Sequence, residues 1–99
     1  MSFGRINLSI EDDTQKFILK LIVKYIDYVS LDKIERSVYT KVPFREMSMI
    51  DRSDLLVQLQ NMEAVKRKKL RLFFEQLSKL IATLGVAVFK QVVLHKLKQ

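Results

Sequence analysis

The chain has no cysteine and no tryptophan, one proline, two glycines and one histidine among its 99 residues. Without cysteine it is not a disulfide-stapled mini-protein, and it has neither a thiolate zinc site nor a cysteine nucleophile. So little glycine and proline excludes a collagen-like repeat or a flexible linker. Long apolar runs are missing too. The most apolar stretch, Leu80–Phe89, is bracketed by Lys79 and Lys90, and a membrane helix needs about twice that length. Met1–Asp13 carries three acids and no apolar run, so no targeting segment is expected there. The expected location is cytoplasmic, which the missing cysteine also fits.

What is present is an ordinary globular mixture, 48% hydrophobic and 29% charged. A chain of this length forms one domain and buries roughly 60–70% of its unfolded surface. A large enclosed active site would consume much of so small a core. HExxH, a phosphate-binding glycine loop, GxSxG and CxxC are all absent, and these are the local patterns that metal or nucleophile chemistry needs. The expectation is a protein without catalytic residues, metal, cofactor or small-molecule substrate. Glu11, Asp12 and Asp13 read as helix-capping acids rather than a Mg²⁺ site. His95 reads as a surface residue near a helix end.

Charge is the uneven feature. Residues 1–63 hold nine basic and ten acidic side chains, whereas residues 64–99 hold nine basic and one acidic, Glu75. The net +7 of the chain therefore belongs to its last third. Segregation of this kind points to a polyanionic partner. Its centre is the run Lys66-Arg67-Lys68-Lys69-Leu70-Arg71. Like charges on adjacent helical turns repel, and a phosphate backbone relieves that repulsion while releasing counterions. Lys66, Arg67, Lys68, Lys69 and Arg71 are the candidate nucleic-acid contacts, for DNA or RNA, with no sequence readout. Phe73 and Phe74 follow the run and are candidates for stacking on bases, although Phe73 also falls on an apolar seam.

Apolar spacing predicts an all-α fold, a compact bundle of four to five helices. An arm over 1–8 precedes helix A, about 10–29, which opens on a capping box of Ser9 and Asp12. Phe17, Ile18, Leu21, Ile22, Tyr25, Ile26 and Val29 recur at helical spacing. Leu19 and Val23 widen the apolar arc beyond half the circumference. Helix B, about 31–39, is capped by Ser30 or Asp32. An internal loop over 40–47 contains the one proline, Pro43, which also restricts Val42. Helix C, about 49–62, opens on Ser48 or Ser53 and carries Leu55, Leu56, Leu59 and Met62. Helix D, about 65–84, keeps the same phase, so C and D are either two helices or one long one. Gly85 is the natural stop. The valine-rich Val86–Leu97 suits a strand by propensity, but a lone strand has nothing to pair with, so helix E is expected. The core is assigned to the faces of A, C and D.

Two further readings accompany the phosphate-binding one. The stretch DLLVQLQNMEAVKRKK resembles the recognition helix and wing start of winged-helix regulators. That resemblance implies a groove contact by Arg52, Ser53, Gln58 and Gln60 with Lys66–Lys69 on phosphate. Here the B–C connection is longer than a tight turn, and no glycine marks the bend of a wing. The surplus of apolar faces implies instead a protein partner or a second copy, docking on Leu19, Val23, Phe89 and Val92. In that reading the protein is a small subunit or inhibitor whose basic patch meets an acidic protein surface. Met47, Met49 and Met62 would add adaptable contacts. No membrane partner is expected.

Overall fold

The computed structural model describes residues 8–99. The arm expected over 1–8 lies outside that range except for Leu8, which is a core residue rather than part of an arm. Five helices follow: α1 (Asp13–Tyr25), α2 (Leu31–Thr40), α3 (Met49–Leu59), α4 (Ala64–Leu84) and α5 (Val86–Leu97). No strand occurs among the described residues, and the fold is an all-α bundle.

Local chemistry sets most of the ends. Asp12, not Ser9, caps α1, accepting from Gln15 N at 2.8 Å, while Gln15 Oε1 accepts from Glu11 N at 2.7 Å. This is a variant of the capping box, about one turn after the expected one, in which Gln15 reaches the N–H one residue before the cap. At the other end α1 stops at Tyr25, four residues before the expected Val29, because Tyr28 and Val29 both turn back onto the Tyr25 carbonyl. Ser30 caps α2 and Ser48 caps α3. Lys41 ends α2 in the left-handed region at φ 59°. Its ammonium donates to the Gln60 carbonyl at 2.8 Å, satisfying one of the carbonyls that the end of α3 leaves open. Helices C and D are thus two helices separated by residues 60–63. Gly85 links α4 to α5 at φ 79° and ψ 160°, a conformation open essentially to glycine alone.

The principal packings run α3 on α1, α1 on α5, α5 on α4 and α4 on α2. The expected core of A, C and D faces omits the helix that joins them. Phe89, Val92 and Val93 of α5 are fully buried in the same cluster as Ile18, Leu19 and Ile22 of α1 and Phe74 and Leu77 of α4. Burial on that scale overrides the strand propensity of the valines. One ion pair reinforces the arrangement, Lys90 on Asp27 at 2.6 Å.

Candidate nucleic-acid interface

The basic run occupies the amino-terminal half of α4, beginning in its first turn. That turn contains no acid, and Glu63 at the cap makes no side-chain hydrogen bond to the helix. The positive end of the α4 dipole therefore adds to the lysine and arginine charges, with the Glu63 carboxylate at the cap as the acid nearest to it. Leu70, Phe73, Phe74 and Leu77 bury one face of α4, which fixes where the charges point. At about 100° per residue, Arg67, Lys68 and Arg71 share an arc of roughly 100° on the solvent side. Lys69 lies on the opposite flank, on a shallow groove it shares with Ser9, Glu11 and Gln15. Lys66 is half-buried at the start of the helix. The run thus splits into an exposed trio, one flanking lysine and one half-buried lysine.

Counter-charges decide which of these are free to meet a ligand. The ion pairs among the described residues join Lys24 to Asp51, Lys33 to Glu46 and Lys90 to Asp27. None uses a residue of the basic run. Arg71 is engaged differently: its guanidinium acts on both Glu35 and Tyr39 of α2. Burial pushes the Glu35 carboxyl above its usual range, opposed by Tyr39 and Arg71. Burial also pushes the Tyr39 phenol up to about 12. Arg71 is therefore partly a link between α4 and α2. Arg67, Lys68 and Lys69 remain exposed and without an ion pair among the described residues.

The aromatic candidates do not accompany them. Phe73 and Phe74 are both buried, so neither offers a ring to a base. Phase on α4 explains this, since both fall on the face that packs on α5 and α2. Of the four groove candidates, Ser53, Gln58 and Gln60 are exposed. Arg52 is turned inward, with Nε donating to the Met47 carbonyl at 3.0 Å and Nη2 to the Phe44 and Arg45 carbonyls at 3.3 and 3.0 Å. It closes the loop before α3.

The residues of the expected partner face are buried or half-buried. Leu19 and Phe89 are 0% exposed and Val92 is 1% exposed, and Val23 packs against the same cluster. These residues meet each other inside the chain, because α5 covers the wide apolar arc of α1. The apolar surplus lies instead on α3, where Met49, Ile50, Leu56 and Val57 are 79, 74, 51 and 70% exposed. Leu56, expected beside Leu55, is turned about 100° away from it. A helical-wheel reading that allowed α3 two apolar faces would have found this. Met47 is buried, whereas Met49 belongs to the new face.

Other chemistry is sparse. His95 is exposed in the last turn of α5, 3.2 Å from Gln99. Among the described residues no three His, Asp or Glu side chains converge as a metal site. A groove of about 480 Å³ lies between the start of α1 and the end of α5, and Asp12 on its wall is occupied in capping. No described helix is long and apolar enough to cross a membrane. No protein-family model, curated protein or solved structure matches this chain significantly.

Proposed function

We propose that this is a non-catalytic intracellular protein that holds the phosphate backbone of a nucleic acid on the amino-terminal half of α4, by itself or as an accessory subunit. The observation that carries the reading is the state of Arg67, Lys68 and Lys69: exposed, without ion pairs among the described residues, and set at a helix end with no acid in its first turn. Cations not paired with a carboxylate keep their charge available for phosphate. With no exposed aromatic beside them among the described residues, the contact is electrostatic and indifferent to sequence.

Titration of labelled DNA and RNA oligonucleotides across a salt series tests this. About three phosphate contacts give a slope near −2.7 in log affinity against log salt. Changing Arg67, Lys68 and Lys69 together to Glu relieves repulsion within α4, so helical circular dichroism is retained while binding is lost. Affinity that survives the triple change refutes the reading.

Val65 and Leu72 support a second reading. Both are exposed, and with Lys68 between them they follow the three- and four-residue spacing of one helix face. An acidic, amphipathic protein surface would meet both the cation and the apolar pair. In that case nucleic-acid affinity is weak and an acidic protein partner is captured instead.

A further inference from the structure

We infer that the exposed face of α3 is a self-association surface, on which a second copy of this chain packs its own α3 in antiparallel orientation about Ser53. This does not rest on the phosphate-binding reading.

The pattern of the face is symmetric. Met49 and Ile50 stand four and three residues before Ser53, and Leu56 and Val57 stand three and four residues after it. On a helix wheel Ser53 also falls near the middle of the arc these four span. A two-fold axis through Ser53 therefore sets Met49 and Ile50 of one copy against Leu56 and Val57 of the other, and the reverse. That reciprocity is what an isologous interface requires. The smallest side chain of the face stands where the helix axes come closest, so the larger ones interdigitate on either side.

Net charge does not oppose a second copy at this face. The +7 of the chain resides in residues 64–99, whereas residues 1–63, which include α3, hold nine basic and ten acidic side chains. The α3 face carries no charged side chain, since Met49, Ile50, Ser53, Leu56, Val57 and Gln60 compose it and Asp54 only borders it. Antiparallel pairing also places the α3 carboxyl ends, and the basic starts of α4 beyond them, at opposite ends of the contact. The area is modest. An 11-residue helix is about 16 Å long and buries less than the roughly 800 Å² per partner of a standard interface. The dimer is accordingly reversible, with a dissociation constant on the order of micromolar or weaker.

Because the chain has no cysteine, a single introduced thiol reports the geometry without background. Helices packed at about 8–10 Å between axes bring facing Cα atoms within disulfide reach. Nuclease-treated protein is used throughout. Sedimentation of the wild type should show a monomer–dimer equilibrium as concentration rises to about 1 mM, and Val57→Asp should shift it to monomer. Under mild oxidation Ser53→Cys should cross-link at least about tenfold faster than Gln58→Cys, which is exposed on the far side of α3, because a dimer fixes the two thiols at high effective concentration. A wild type that stays monomeric overturns the inference. So does a dimer in which Ser53→Cys cross-links no faster than Gln58→Cys, since the contact would then use another face.

Discussion

The phenol of Tyr25 donates a hydrogen bond to Asp51 Oδ2 at 2.5 Å, joining the last turn of α1 to the first turn of α3. The same oxygen of Tyr25 accepts from the Ser48 backbone N–H at 2.9 Å. The Asp51 carboxylate also receives the Lys24 ammonium at 2.9 Å. The Tyr25 ring meets Phe44 edge-on with centroids 5.1 Å apart. One side chain thus orients the amino end of α3, and with it the direction in which the apolar face of that helix points.

Tyrosine-to-phenylalanine changes at Tyr25 and Tyr39 should differ in size. Tyr25→Phe removes a hydrogen bond to a charged acceptor and leaves the Ser48 N–H short of a partner, a loss of about 1.5–3 kcal/mol. The Tyr39 hydroxyl lies beside Glu35 and Arg71 without a well-formed hydrogen bond, so Tyr39→Phe costs less, about 1 kcal/mol or below. Urea denaturation of the two variants beside the wild type measures both.

Acid should weaken the α1–α3 link. Burial raises the Asp51 pKa, but hydrogen bonds from Lys24, Tyr25 and Ser48 and the charge of Lys24 outweigh it, so the carboxyl titrates below the usual 3.8. A carboxylate depressed in the folded state stabilises fully above its unfolded pKa, and the stabilisation is lost as pH falls through the folded value. Glu35 works the other way: burial raises it above 4.5, so its protonation as pH falls relieves a cost. Stability curves between about pH 2 and 6 should fall less steeply for Asp51→Asn than for the wild type. They should fall more steeply for Glu35→Gln.

Gly85→Ala should destabilise by about 1–3 kcal/mol through backbone strain alone. A Cβ at this position meets nothing within 4 Å, so no clash contributes. D-alanine, introduced by peptide ligation, should be tolerated at Gly85, and thermal unfolding of the two variants separates strain from crowding.

Within the basic run, single alanine changes should rank by exposure and partner. Arg67→Ala and Lys68→Ala should each lower the salt slope of oligonucleotide binding by about 0.9 and leave stability within about 0.5 kcal/mol. Arg71→Ala should change the slope less and stability more, because Arg71 acts on Glu35 and Tyr39. Equal slope changes at all three positions would contradict the division of the run seen in the fold.

Periodicity, caps and turn residues made the helices legible one at a time. Ser30, Ser48, Pro43 and Gly85 act within a turn of themselves, and the ends they mark lie close to those observed. The charge segregation was equally local, since it needs only a count along the chain. The α1 ends differ from those expected because Ser9 and Asp12 offer competing caps at similar cost, and because the apolar residues after Tyr25 keep helical spacing while the backbone turns.

What sequence could not decide was which apolar face meets which. Leu19, Val23, Phe89 and Val92 look like surplus when α1 and α5 are considered apart, and they become core once α5 lies across α1. Leu56 looks like core because it sits beside Leu55 in the helix C pattern, and it is left outside with Met49, Ile50 and Val57 once Leu55 and Leu59 have turned inward. Likewise five adjacent cations read as one patch, but the burial of Leu70, Phe73 and Phe74 rotates them into separate roles. The cause is common to all three. Local propensity acts over a few residues, whereas burial is settled by helices packing across distances in sequence that a linear pattern does not encode.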